Sequence, residues 1–174
     1  MGRIAIAGIL VVALMAGLVL YYLQVYAYYH EVAEDRAAVQ LTSVTSGQPE
    51  PIIFDRFEGI DAESSPLRYR ACFSTALSQA MLTEMFVIYD DAEPRVAPGW
   101  FDCFDAAQIG DDLRYGDAIA FLGTENIQYG IDRVVAVYPD GRAYAWHQIN
   151  ACGAVVFDGN PAPENCPPAP ESLN

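Results

Sequence analysis

The chain has 174 residues, 23 acids, nine arginines, no lysine and two histidines, for a net charge of −14. After residue 30 the balance is eight arginines against 23 acids, or −15, since only Arg3 lies before it. That excess excludes nucleic acid as a partner, because neutralising phosphate needs basic side chains, and it disfavours lying flat on an anionic lipid surface. The length suffices for one domain beyond the apolar N-terminus.

Residues 4–23, "IAIAGILVVALMAGLVLYYL", contain no charge. Twenty helical residues at ~1.5 Å each span ~30 Å, the thickness of a bilayer's hydrocarbon core. Tyr21, Tyr22, Tyr26, Tyr28 and Tyr29 follow, as tyrosines do at a membrane edge. Arg3 and the amino terminus precede the run, and Glu31, Glu34 and Asp35 come after it. The positive-inside rule places the N-terminus in the cytoplasm and the remainder outside. "VYA", ending at Ala27, has the small residues of a signal-peptide cleavage site. The apolar core is longer than such peptides use, so a retained signal anchor over residues 1–30 is the preferred reading.

Residues 31–51 read as stalk and linker, with "LTSVTSGQPEP" polar and punctuated by Gly and Pro. "IIFDRF" (52–57) and "LRYRACF" are expected strands. "STALSQAMLTEMF" (74–86) has apolar residues at helical spacing, with Ser74 or Thr75 as cap. In "DAAQIGDDLRYG" (105–116), Asp105 and Gln108 form a capping-box pattern, and Gly116 stands where a C-terminal glycine belongs. "DAIAFL" (117–122) reads as a strand, "GTEN" as a turn, and "IQYGIDRVVAVY" as the next strand. "PDG" (139–141) is a tight turn into the antiparallel strand "RAYAWHQI" (142–149). If Tyr138 pairs with Arg142, then Val137, Val135 and Arg133 face Ala143, Ala145 and His147. The pattern describes an α+β fold: an N-terminal transmembrane helix, then a small antiparallel sheet with two helices over residues 52–153. Residues 154–174 are a Pro-rich tail.

Cys72, Cys103, Cys152 and Cys166 all fall on the expected outer side, where an even number implies disulfides. Three pairings are possible. The chain-neighbour pairing, Cys72–Cys103 with Cys152–Cys166, is favoured, and each bridge would contribute roughly 3–4 kcal/mol through loop entropy. The second would pin the tail against the domain.

Few residues suggest chemistry. On strand 142–149, Arg142, Tyr144, Trp146 and Gln148 share one face, a possible binding surface, although sheet packing is the simpler use of such rings. His147 lies on the other face beside small apolar residues and reads as a half-buried, hydrogen-bonded histidine. No metal-ligand spacing, nucleotide loop or nucleophile elbow occurs, so no metal or cofactor is expected. Cys72, just ahead of the expected helix, has the placement of a cysteine nucleophile.

"RYGDAIAFLG" resembles the glycine–aspartate strand of the NlpC/P60 cell-wall cysteine peptidases, which implies a hydrolase with Cys72 as nucleophile and His147 as base. The next strand lacks the histidine that family places there, and His147 comes one strand late. "LRYRACF", "APGWFDCFDA", "DRVVAVYPDGR" and "WHQINACG" together resemble an uncharacterised family of short bacterial membrane-anchored proteins, over most of residues 50–153. That resemblance implies a single-pass anchor and an extracytoplasmic domain, and no activity. The leading expectation is a periplasmic structural or interaction module of the cell envelope, bound to the bilayer of the bacterial inner membrane through residues 4–23 and facing another envelope membrane protein. A small-ligand sensor signalling through the helix is the further alternative.

Overall fold

The computed structural model describes residues 2–171. Helix α1 (Gly2–Tyr22) is followed by a π-helical turn, Leu23–Ala27. None of the residues of α1 is buried. Its length and composition suit a membrane span.

The rest forms a six-stranded antiparallel sheet in the order β1-β4-β5-β8-β7-β6. The strands are β1 (His30–Glu31), β4 (Asp55–Asp61), β5 (Arg70–Ser74), β8 (Arg142–Ile149), β7 (Ile131–Val137) and β6 (Ile119–Gln128). A separate hairpin joins β2 (Gln40–Thr42) to β3 (Pro49–Pro51). β7, one strand in from the β6 edge, is buried at every position, so both of its faces are covered. One face carries Ala71, Phe73, Val135, Val137, Ala143 and Ala145, packed under the hairpin and helix α2 (Gln79–Met85). The other carries Val134, Ala136 and Trp146, packed under Phe101, Phe104 and helix α3 (Ala106–Tyr115).

The β7–β8 hairpin has the register expected from its sequence. Tyr138 and Arg142 are hydrogen-bonded across the turn, and Arg133 lies opposite His147. Gly141 takes φ 85°, the left-handed value that a side chain resists. α3 also begins and ends as its sequence indicates. The Asp105 carboxylate accepts from the backbone N–H groups of Ala107 and Gln108, and Gly116 is left-handed. The box is only half made: the Gln108 side chain turns forward, its Nε2 donating to Asp112, instead of reaching back to accept from the Asp105 N–H. Cys72 is bonded to Cys103, tying β5 to the segment before α3, and Cys152 to Cys166.

Four local readings need correction. Residues 40–51 are not a free linker. Leu41 is 0 % exposed, because the β2–β3 hairpin seats it against the sheet and Thr42 Oγ1 donates to Gly123 O. The helix expected over 74–86 starts late, with Ser78 as cap. The Thr75 hydroxyl is already engaged with Ile53 O, and the Thr75 N–H with Gly141 O, so that stretch stays extended. The strand expected over 52–57 begins at Asp55 instead. "GTEN" is not a turn. β6 runs through it with register shifts, and the reversal occurs at Tyr129–Gly130. Gly123 permits this because a Cβ there would crowd Arg133 O and Gln40 O.

Helix α4 (Ala151–Phe157), capped by Asn150, crosses the boundary expected at 153 between the domain and the tail. Its Gly153 lies directly against Gly130, an approach no side chain would permit. Beyond it, Cys166 and the Tyr129 hydroxyl, which donates to Pro167 O, hold the tail to the domain.

Candidate functional site

The face proposed for binding is mostly interior. Trp146 is 0 % exposed, with Phe104 edge-on at 6.3 Å between ring centroids. Gln148 is buried and fully used: its Oε1 accepts from Glu93 N and Trp146 Nε1, and its Nε2 donates to Asp91 O. Tyr144 is half-buried against Phe104 and Tyr138. Only Arg142 stands clear, paired with Asp140 at 2.7 Å. Four residues sharing one face of a strand were therefore divided by the loop that covers two of them.

The Cys72/His147 pairing does not survive. All four cysteines are in disulfides, so Cys72 has no thiolate to attack with. It also stands in mid-strand, not at a helix start, and lies opposite Tyr144. His147, three residues on from Tyr144, points to the opposite face of the sheet.

His147 is more deeply buried than expected, at 5 % exposure. Arg133 Nε donates to its Nε2 at 3.0 Å, which leaves the Nδ1 proton to donate to Pro66 O at 2.6 Å. Tyr69 stacks on the ring, 4.7 Å away. Burial pushes the imidazole pKa down to about 4, and the Arg133 charge acts in the same direction. In the unfolded chain it titrates near its ordinary 6.5. The unfolded state thus takes up the proton first. The stability owed to neutral His147 is complete above pH 6.5 and is lost as the pH falls toward about 4. Urea unfolding at pH 7 and pH 4.5 tests this: His147→Gln is expected to narrow the stability gap between them by roughly 2–3 kcal/mol. An unchanged gap would contradict it.

Two arginines are buried in the sheet: Arg133, expected opposite His147, and Arg70, which the sequence analysis passed over and which lies on the opposite face, level with Trp146. Arg70 is 4 % exposed and donates to four carbonyls, those of Leu67, Tyr69, Arg95 and Val96. Burial lowers its pKa to about 10, so it stays charged at neutral pH. Arg133 lies over the Tyr69 ring at 4.1 Å and donates to Ala38 O. Both ion pairs among the described residues are on the surface, at Asp111–Arg114 and Asp140–Arg142, so neither buried cation has a carboxylate in contact. Asp61 feels the charge of both. Its own carboxyl is pushed up by burial, against the pull of both arginines. The alternation in "LRYRACF" was the available signal, since Arg70 falls in the strand among inward residues.

A cleft of about 610 Å³ opens between the 88–93 segment, β8 and α4. Asp90, Asp91, Glu93 and Glu125 line it, so it attracts positive charge. Asp132 is the hub of its floor. One carboxylate oxygen accepts from Asn126 N and Asn150 Nδ2, the other from the Tyr89 hydroxyl. Burial, then Asp132 itself, holds the Tyr89 hydroxyl far above the usual phenol range. The floor is therefore a brace joining β7, the 126–130 turn and the α4 cap, with its proton-transfer groups already engaged. Among the described residues no group of three or more His, Cys, Asp or Glu is placed to hold a metal ion.

The remaining surface of interest is where the N-terminal helical segment meets the domain. Helix ends leave carbonyls without intrahelical partners. Here the domain supplies donors: Trp100 Nε1 donates to Val25 O at 2.6 Å, and Arg68 Nη1 to Gln24 O at 3.4 Å. Trp100 stacks on Tyr26 and meets Tyr29 edge-on, and Arg68 lies over the Tyr29 ring. Nothing in the local sequence joined residues 75 apart. The interfacial character of the tyrosines was the only hint.

A family model described as "Family of unknown function (DUF6446)" matches residues 39–167, which contain the whole domain core from Val39 onward and both disulfides. No curated protein and no solved structure matches the chain.

Proposed function

We propose that this chain, which belongs to the family of unknown function DUF6446, acts as a membrane-tethered interaction module of a bacterial cell envelope. In this reading α1 crosses the inner membrane once, with Arg3 on the cytoplasmic side and the acidic domain in the periplasm. The observation that carries it is the contrast within one chain. α1 has no buried residue, so its apolar side chains have no protein to cover them, while the domain beyond is fully packed and cross-linked. Lipid satisfies such a helix, whose backbone bonds are all internal.

Three features support the rest. Positive charge precedes the span and negative charge follows it. Two disulfides suit an oxidising compartment. Trp100 and Arg68 engage carbonyls of Val25 and Gln24, contacts that require the segment to stay attached. The floor of the acidic cleft is committed to structure through Asp132, Tyr89 and Gln148, while the acids at its rim are unpaired among the described residues, which favours binding a cationic group over proton-transfer catalysis there. A tether confines the domain to the membrane surface and raises its effective concentration toward neighbouring envelope proteins. Protease treatment and thiol counting on spheroplasts test this reading: the domain should be digestible from outside and carry no taggable thiol before reduction.

A further inference from the structure

Resting on that anchor reading, we infer that Trp100 and Arg68 lie in the lipid headgroup layer of the leaflet from which α1 emerges, so that the domain itself holds the membrane and is set at a fixed angle to it. The depth follows from bilayer dimensions. If residues 4–23 fill the hydrocarbon, Gln24 and Val25 lie within ~3 Å of its edge. The headgroup layer beyond is roughly 5–8 Å deep. The Trp100 indole is hydrogen-bonded to Val25 O at 2.6 Å and stacked on Tyr26, so it cannot be elsewhere.

The chemistry fits that layer. Trp100 is 36 % exposed, an apolar ring whose N–H is already satisfied by the anchor. Tryptophan and tyrosine collect at this level because one part of the ring system is apolar and the other wet. Arg68, beside it, offers a guanidinium at the depth of lipid phosphates, with one N–H used on Gln24 O. The loop bearing Trp100 is held rigidly. Arg70 grips the carbonyls of Arg95 and Val96, and Phe101 is buried immediately after Trp100. Val96, in the same loop, is 82 % exposed. The partner is lipid, not protein, because the anchor fixes the depth at which these side chains stand.

The molecule carries its own control. It has two tryptophans, and the other, Trp146, is 0 % exposed in the core. The full chain is reconstituted into phospholipid vesicles whose acyl chains are brominated near the ester end, and tryptophan emission is compared with that in unbrominated vesicles. Emission is expected to be quenched several-fold more in the wild type than in Trp100→Phe, which retains only Trp146. Wild-type emission insensitive to brominated lipid overturns the inference without recourse to any variant, and so does equal quenching of both proteins. Flotation of the same vesicles separates the two readings. A chain that does not float with lipid overturns the anchor and this inference together; one that floats but shows no quenching overturns this inference alone.

Discussion

Trp146→Ala is expected to cost about 3–5 kcal/mol of unfolding free energy, the largest effect of any single substitution in the domain. Trp146 sits on the central part of the sheet, opposite Arg70 on one neighbouring strand and Val134 on the other. It is fully buried and packed edge-on to Phe104. Truncation removes the transfer free energy of the indole and leaves a cavity that β7 and β8, locked in register, cannot close. Small domains are stable by only about 5–15 kcal/mol, so the variant becomes marginal. Guanidinium unfolding of the full chain in detergent, followed by the remaining fluorophore Trp100, measures it. A midpoint shift equivalent to less than about 1 kcal/mol would mean that the sheet face is not packed as described.

Removal of the Cys72–Cys103 bridge by paired alanine substitutions is expected to cost about 3.7 kcal/mol on the chain-entropy model, for two residues separated by 31 in the chain. The closed loop contains α2 and the long 87–103 segment that roofs Trp146 and Gln148. That segment has little regular structure of its own, so the cross-link does much of the ordering. The effect should therefore include faster proteolysis within residues 87–103 as well as a lower unfolding midpoint. The Cys152–Cys166 bridge, with a separation of 14, is worth less on the same model, about 3 kcal/mol, and its loss should free chiefly the tail. Equal unfolding midpoints with and without Cys72–Cys103 would show that the roof is held by packing alone.

What was readable in the sequence follows from how local each determinant is. The register of the β7–β8 hairpin was legible, because "PDG" fixes the turn and strand parity then fixes the faces, although β7 begins at Ile131 and not at Ile127 as its apolar run suggested. α3 was legible because its cap and its terminating glycine are its own residues. The disulfide pairing followed from chain adjacency. The β2–β3 hairpin was hidden, since "LTSVTSGQPEP" is polar in composition and only docking shows that Leu41 belongs to the core. α4 was hidden because Ala, Gly and Val give no helical stripe, and its stability comes from the Asn150 cap and the Gly130–Gly153 contact. The same distinction applies to the site. The face of His147 could be read from strand parity, but its burial depends on Arg133, Pro66 and Tyr69, which three separate segments bring together. Cys72 was misplaced for a related reason: the helix expected to begin beside it starts several residues later, because Thr75 is held by Ile53 and Gly141.

The most direct test of the whole account is the state and location of the four sulfurs in living cells. Cells making the untagged full chain are converted to spheroplasts, denatured in the presence of a heavy maleimide with and without prior reduction, and a parallel sample is exposed to external protease. The expected result is no mass tag without reductant, tags on all four cysteines after it, and loss of the domain to protease while the inner membrane is intact. Four tags without reductant, on a domain protected from external protease, would place it in the reducing cytoplasm and contradict the account.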